Sequence, residues 1–183
     1  MIPGSKAVFI DRDGIIIRAD SILDKPYPPS RMEDVEIITG SLLSFRRLAD
    51  HGYILIGITN QPDVARGTQT QEMVEAINKL IQSSTPIREI FVCYHDDSNG
   101  CACRKPKPGL IFQAAQKYGL DLSQSWMIGD RWKDIAAGKA AGLKTIFMDY
   151  QYDELFNCAP ADYTITDTSL LADIIIKNQY ENT

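Results

Sequence analysis

AVFIDRDG, residues 7 to 14, is the stretch that decides the fold. Four apolar residues run from Ala7 to Ile10, and Asp11 and Gly14 stop them. The length and composition of this run are typical of a strand buried on both faces and too short for a helix. The sequence therefore predicts a central strand with Asp11 at its C-terminal end.

Similar apolar runs alternate with helical patterns along the rest of the chain. Further strands are predicted at residues 53–58, 89–94, 126–128, 145–148 and, as an edge strand, 163–165. Helices are predicted around residues 42–49, 71–81 with Thr70 as the cap, 108–118, 132–141 and 170–175. Strands alternating with helices predict an α/β fold, a doubly wound parallel sheet with helices on both faces. Ligands bind beyond the carboxyl ends of such strands.

Composition limits the class of protein. At 183 residues with 44% apolar content, one domain covering residues 1–183 is expected. The net charge of −5 argues against a nucleic-acid or membrane surface, so the expected partner is a small molecule. The N-terminus has neither a signal-peptide core nor a membrane span, which predicts a cytoplasmic protein, and we expect a monomer. The Pro-rich residues 25–30 are expected to form an ordered loop near the site.

Polar residues follow four of the predicted strands. They are Asp11 with Asp13, Thr59 with Asn60, Arg104 with Lys105, and Asp130 with Asp134. Two carboxylates two residues apart repel each other unless a cation joins them, and Mg²⁺ prefers such oxygen ligands. Each motif alone also occurs in ordinary turns, caps or basic loops. Four of them in this order predict one active site.

A second cluster has the spacing of a metal site. Cys93, His95, Cys101 and Cys103 form a CxHx5CxC pattern. Residues two apart in extended backbone share a face, so each pair supplies half of a tetrahedron, and four protein ligands indicate structural zinc. The alternatives are a Cys101–Cys103 disulfide or idle buried thiols. Cys158 stands apart and is expected to be an ordinary free thiol.

These motifs resemble those of the haloacid dehalogenase-like phosphatase superfamily: FIDRDG, ITNQ, RKPKPG and IGDRWKD, between residues 7 and 148. The resemblance implies that Asp11 is a nucleophile forming an aspartyl-phosphate and that Asp13 is the acid and base. It also implies that Mg²⁺ is held by Asp11, the Asp13 carbonyl and Asp130. Thr59 and Lys105 would then hold the phosphoryl oxygens, with Asp134 supporting the metal or Lys105. The spacing leaves no room for a separate cap domain.

The cysteine pattern, ARG at residues 65–67 and residues 125–142 look most similar to the heptose bisphosphate phosphatase branch. That resemblance implies removal of one phosphate from D-glycero-D-manno-heptose 1,7-bisphosphate. Candidate substrate contacts are Asn60, Gln61, Arg104, Arg131 and Asp20, with Arg66 a further cation at the rim. The chain departs from the branch at residues 15–17 and 62–63, which we expect beside the sugar.

Other readings stay open on the sequence. The histidinol-phosphate phosphatases share the zinc pattern, and Asp20, Asp24 and Tyr27 would suit their cationic substrate. A receiver-like phosphoacceptor module also uses clustered aspartates, Thr and Lys on a parallel sheet, but it places its acidic pair differently. A zinc-stabilised binding protein with a dead site is disfavoured, because Asp11, Asp13, Thr59, Lys105 and Asp130 are all present.

Overall fold

The computed structural model describes residues 4–22, 25–152 and 157–181, with backbone alone at 20–22, 25–26 and 181. The strands are β1 Ala7–Ile10, β2 Asp20–Ile22, β3 Lys25–Tyr27, β4 Ile54–Asn60, β5 Glu89–Cys93, β6 Trp126–Gly129, β7 Lys144–Met148 and β8 Tyr163–Ile165. The helices are α1 Thr39–Asp50, α2 Pro62–Ala65, α3 Gln71–Ser84, α4 Gly109–Tyr118, α5 Trp132–Ala140 and α6 Leu171–Glu181.

Six strands form one parallel sheet in the order β5-β4-β1-β6-β7-β8. β1 lies in the middle, where Phe9 pairs with Ile56 of β4 on one side and Met127 of β6 on the other. The chain builds one half outward from β1 to β5 and then returns to build the other half from β6 to β8. Because the winding direction reverses next to β1, its carboxyl end lies at the switch point where such sheets bind ligands. The predicted fold class is confirmed.

Apolar residues cover both faces of the sheet. Val8 and Ile10 of β1 pack in the core formed with α1, α3 and α6, whereas Ala7 and Phe9 pack in the core formed with α4 and α5. Successive strand side chains point to opposite faces, so a strand buried on both faces must be apolar at every position. This burial explains the unbroken AVFI run and places Asp11 beyond the last core layer.

Local signals set several helix ends as the sequence predicts. The Thr70 hydroxyl accepts the Met73 amide hydrogen bond at 3.1 Å and caps α3. Gly119 follows α4 with a φ of +63°, a left-handed conformation that glycine adopts without strain. None of the helices in the described part of the chain combines the length and apolar composition needed to cross a bilayer.

Two expectations about the segment after β1 need correction. Residues 25–27 pair with β2 as a short antiparallel hairpin, and only residues 28–30 lie outside a strand, although Tyr27 and Pro28 line the cavity described below as expected. Pro26 is tolerated because a two-stranded ribbon has only edge strands. Ile15, Ile16 and Ile17 are fully buried in the core with α1, so they do not lie beside a substrate. An amide or hydroxyl at these positions would face apolar neighbours, which explains three consecutive isoleucines.

Candidate active site

A cavity of about 310 Å³ opens at the carboxyl ends of β1, β4 and β6. Its lining brings together all eight polar residues predicted at the strand ends: Asp11, Asp13, Thr59, Asn60, Arg104, Lys105, Asp130 and Asp134. The parallel sheet explains this convergence, because the carboxyl ends of neighbouring strands meet at one edge. The remaining lining residues are Tyr27, Pro28, Pro62, Asp63, Arg66, Asp97, Arg131 and Lys133.

Lys105 is a buried cation between two carboxylates. Its Nζ lies 2.7 Å from Asp11 Oδ1 and 2.5 Å from Asp134 Oδ1, and it donates to the Ile58 carbonyl at 2.9 Å. Burial alone would lower the pKa of Lys105, but the charges of Asp11 and Asp134 raise it above its ordinary value. Lys105 therefore stays charged, beside the cavity face of Asp11.

Asp11 lies on the floor of the cavity. Burial raises the pKa of its carboxyl to about 7, and the charge of Asp134 adds to this rise while Lys105 opposes it. Oδ1 accepts hydrogen bonds from Lys105 and from the Arg12 amide at 2.8 Å. A carboxylate whose oxygen is oriented in this way next to a cationic lysine is suited to nucleophilic attack on a phosphorus atom.

Asp130 has the features of a metal ligand. It is 2% exposed, and neither of its carboxylate oxygens has a hydrogen-bond partner among the described residues. Burial, followed by the charges of Asp11 and Asp134, raises its pKa well above the ordinary range. Gly14 lets Asp130 approach, since a Cβ at Gly14 would collide with this carboxylate. Buried oxygens without donors, next to further carboxylates, fit a hard divalent cation.

Asp134 has a different environment. One oxygen pairs with Lys105, and Oδ2 accepts the Arg131 amide hydrogen bond at 3.0 Å at the start of α5. Gly129 permits this packing, because a Cβ there would overlap the Asp134 side chain. One carboxylate oxygen from each of Asp11, Asp130 and Asp134 nevertheless lies within 4.8 Å of the other two. The geometry thus gives Asp130 as the carboxylate left free for a cation, with Asp134 orienting Lys105.

Asp13 also lines the cavity. Its Oδ2 accepts a hydrogen bond from Gln61 Nε2 at 2.8 Å and lies 3.5 Å from the Thr59 hydroxyl. Gln61 is 2% exposed and also donates to Thr59 at 2.9 Å. The amide of Gln61, which the sequence suggested as a substrate contact, is therefore directed at two site residues. It connects the ends of β1 and β4.

The four predicted zinc ligands come together beside this cavity. Their sulfur and nitrogen atoms lie 3.2 to 3.7 Å apart in the five closest pairs. A tetrahedral ion with metal–sulfur bonds of about 2.3 Å needs ligand atoms about 3.8 Å apart, so the cluster has nearly the required dimensions. Cys101 and Cys103 are free thiols with sulfur atoms 3.4 Å apart, far longer than a disulfide bond. The disulfide alternative is wrong.

Known proteins are similar to this chain in sequence and in fold. A family model described as HAD-hydrolase-like matches residues 102–153. A D-glycero-beta-D-manno-heptose-1,7-bisphosphate 7-phosphatase of Helicobacter pylori is 40% identical over 146 residues, covering 76% of this chain and 81% of that protein. The corresponding alpha-anomer 7-phosphatase of Photorhabdus laumondii is 35% identical over 155 residues, covering 78% and 81%.

The chain belongs to the haloacid dehalogenase-like phosphatases. The crystal structure of a D,D-heptose 1,7-bisphosphate phosphatase from B. bronchiseptica, complexed with magnesium and phosphate, superposes with a TM-score of 0.79. At 24% identity over 94% of this chain and 99% of that one, the likeness shows the fold. The receiver-like alternative is set aside, because the relatives are phosphatases.

Asn60 and Arg104 shape the loop that carries the phosphatase lysine. The Asn60 side chain accepts from the Lys105 amide at 3.1 Å and donates to its carbonyl at 3.0 Å. Arg104 pairs with Asp97 at 2.7 Å and donates to the His95 carbonyl at 3.3 Å. Lys105 is thus held from β4 on one side, and the Cys/His cluster anchors the residue before it.

The other predicted substrate contacts have varied positions. Arg66 lines the cavity and forms two hydrogen bonds with Asp96, at 2.8 and 2.9 Å. This pairing lowers the pKa of Asp96 to about 2. Arg131 also lines the cavity. The side chain of Asp20, and all of Asp24, lie outside the described residues.

Sequence reasoning missed Lys133 as a cavity residue and named Tyr27 only as a group that would suit a cationic substrate. Lys133 lies on the first turn of α5 with its ammonium 5.8 Å from the Trp132 ring centre, and Tyr27 enters from the β2–β3 hairpin with 46% exposure. The position of Lys133 between Asp130 and Asp134 in IGDRWKD was the available signal. Cys158, in contrast, lies against the Trp132 carbonyl as a free thiol.

Proposed function

We propose that this phosphatase removes the 7-phosphate of D-glycero-D-manno-heptose 1,7-bisphosphate in a Mg²⁺-dependent reaction. One observation carries the proposal: the cavity has catalytic carboxylates and Lys105 at its floor and four further basic side chains, Arg66, Arg104, Arg131 and Lys133, around it. A phosphomonoester needs cations for one phosphate. A rim with additional cations suits a substrate that keeps a second phosphate.

In the first half-reaction, an oxygen of Asp11 attacks the phosphorus atom and the ester bond breaks as Asp13 donates its proton to the leaving oxygen. In the second half-reaction, water attacks the phosphorus atom of the aspartyl-phosphate and gives a proton to Asp13. The bond between phosphorus and the Asp11 oxygen breaks, so that phosphate is released and the Asp11 carboxylate is restored. Lys105 and Thr59 bind the equatorial oxygens of the transferring group. This scheme is supported by their grouping at one cavity floor.

Asp11, the Asp13 carbonyl and Asp130 would hold the magnesium ion. When bound, the ion neutralises negative charge on the phosphoryl group and on the surrounding carboxylates. Support for this assignment comes from the unpartnered oxygens of Asp130 and from the raised pKa of Asp11. Both features describe carboxylates that a divalent cation would stabilise in the ionised state.

The Cys93, His95, Cys101 and Cys103 cluster would hold structural zinc. All four positions are protein ligands, so none is left for a substrate. Asp96 and Asp97 in the same loop pair with Arg66 and Arg104. We infer that the ion sets the positions of Arg66 and Arg104 through these ion pairs. We also infer that residues 1–183 form one phosphatase domain.

Histidinol phosphate is the second candidate, since Tyr27 and Asp63 line the cavity. Its amine requires a carboxylate that is available for pairing. Asp63 and Asp97 are the described rim carboxylates, and each already lies beside an arginine, at 3.4 Å and 2.7 Å. A cationic substrate would have to displace these arginines, whereas a second phosphate would join them. The geometry favours the bisphosphate.

The test compares kcat/KM for the heptose bisphosphate, the heptose 7-phosphate and histidinol phosphate, with ³¹P NMR identifying the phosphate released. We expect the bisphosphate to be preferred and Arg104→Ala to lower its kcat/KM about 10- to 100-fold, with a smaller effect on the monophosphate. Arg46→Ala, on the exposed face of α1, is the control. A preference for histidinol phosphate, or an Arg104→Ala enzyme with unchanged bisphosphate efficiency, would refute the substrate assignment.

A further inference from the structure

Arg12 is a buried cation to which the scheme above gives no role. It lies between Asp11 and Asp13 in the sequence, and at 1% exposure it is among the largest fully buried side chains. Burying a guanidinium is unfavourable unless its charge is paired and its N–H groups are satisfied. Its Nε donates to Asp13 Oδ1 at 3.0 Å. The carboxyl expected to transfer protons is therefore the partner of this charge.

A second contact holds the guanidinium from behind. Arg12 Nη1 donates to Asn78 Oδ1 at 3.1 Å. Asn78 belongs to α3, is 7% exposed and does not line the cavity. Because the guanidinium group is planar and rigid, fixing one N–H group at Asn78 restricts the direction of the N–H that reaches Asp13.

The opposite oxygen of Asp13 is also held. Oδ2 accepts from Gln61 at the end of β4, while Oδ1 accepts from Arg12, which is tied to α3. With a donor on each oxygen, the carboxyl group cannot rotate about its terminal torsion without losing a hydrogen bond. Two elements far apart in the sequence thus set the plane of the carboxyl that faces the cavity.

We propose that Arg12, tied to Asn78, is a positioning residue that orients the Asp13 carboxyl for proton transfer to the leaving oxygen and from the attacking water. This inference rests on the proposed acid and base role of Asp13. Proton transfer requires heavy atoms about 2.6 to 3.2 Å apart, and a misplacement of about 1 Å can cost about 100-fold in rate. Neither Arg12 nor Asn78 needs to touch the substrate for this effect.

The test uses Asn78→Leu, which removes the acceptor, and Asn78→Asp, which keeps an oxygen in its place. Each is assayed with an alkyl phosphomonoester and with 4-nitrophenyl phosphate, whose leaving group needs no proton. For Asn78→Leu we expect kcat on the alkyl ester to fall about 10- to 100-fold with KM nearly unchanged. The pre-steady-state release of nitrophenolate should change less than about threefold, because that step does not use the acid.

Asn78→Asp should recover most of the alkyl-ester activity. Gln82→Leu, one turn further along α3 and bonded to the Arg88 carbonyl, is the matched control and should be unchanged. Arg12→Lys provides a second test, since an ammonium cannot contact Asp13 and Asn78 through a rigid plane, and it should show the same selective loss. Circular dichroism and metal content establish that each variant is folded.

The proposal would be overturned if Asn78→Leu lowered kcat on the alkyl ester and the pre-steady-state release of nitrophenolate by the same factor, changed KM alone, or left kcat unchanged. An incorrect substrate assignment would appear separately, as wild-type enzyme that fails to hydrolyse the heptose bisphosphate but still hydrolyses other phosphomonoesters. The comparison of leaving groups is made within one enzyme and does not depend on the natural substrate.

Discussion

Replacing Lys105 with Met would show how strongly the site depends on one buried cation. The lysine side chain is 4% exposed and pairs with Asp11 at 2.7 Å and Asp134 at 2.5 Å. Methionine has a similar length and fits a buried position, so the substitution removes the charge while most of the packing is kept. Two buried carboxylates then lose their shared partner.

The magnitude follows from the distances. Two unit charges 2.7 Å apart attract by about 6 kcal/mol at an effective dielectric constant of 20, as for the Lys105–Asp11 pair. Folding of the variant no longer requires the desolvation of an ammonium group, and this saving offsets several kcal/mol of the lost attraction. Removing one partner of a buried pair typically costs about 3 to 5 kcal/mol of unfolding free energy. For a chain of this length the expected fall in Tm is roughly 10 °C.

The assay is urea unfolding in EDTA at pH 5 and pH 8. Burial raises the pKa of Asp11 to about 7 in the folded protein, and Lys105 opposes that rise. Removing Lys105 therefore raises this pKa further. A carboxyl group whose pKa is raised by folding stabilises the folded state most when the pH is below its pKa in the unfolded chain. This stabilisation is lost as the pH rises through its pKa in the folded protein. The variant should be penalised more at pH 8 than at pH 5.

Lys139→Met is the control. Lys139 forms a 2.9 Å ion pair with Asp162, and each of the two side chains is about one-third exposed to solvent. Exposed pairs contribute about 0 to 1 kcal/mol. If Lys105→Met lost less than about 1 kcal/mol at pH 8, or lost the same amount at both pH values, the account of Lys105 as the electrostatic partner of Asp11 would be refuted.

Two further predictions concern the nucleophile and the metals. Asp11→Asn should lower kcat by several orders of magnitude with an unchanged circular dichroism spectrum, and EDTA followed by Mg²⁺ should switch wild-type activity off and on; retained turnover in the variant would exclude Asp11 as nucleophile. Metal analysis should find about one zinc per chain, and Cys101→Ser should release it and lower activity by loosening Arg104 and Lys105. Zinc-free wild-type protein, or full activity in Cys101→Ser, would contradict that role.

Much of the site could be predicted because its residues follow strands that can be recognised in the sequence as apolar runs. The AVFI run before Asp11 and the ILIGITN run that contains Thr59 are buried on both faces, and only apolar sequence tolerates that. The Cys/His cluster could be predicted for a similar reason, since its four residues lie within eleven consecutive positions, from Cys93 to Cys103. Short separations leave few arrangements to consider.

The sequence by itself determined the parallel sheet, the convergence of aspartates and lysine at its edge, and the Cys/His cluster. Only the tertiary structure decided the partners: Ile15 to Ile17 turn into the core, Gln61 binds Asp13 instead of facing the cavity, and Arg12 reaches Asn78, 66 residues away. Backbone periodicity is a local property that a pattern can show. Which polar groups pair depends on distances between segments remote in sequence, and those distances exist only once the helices pack on the sheet.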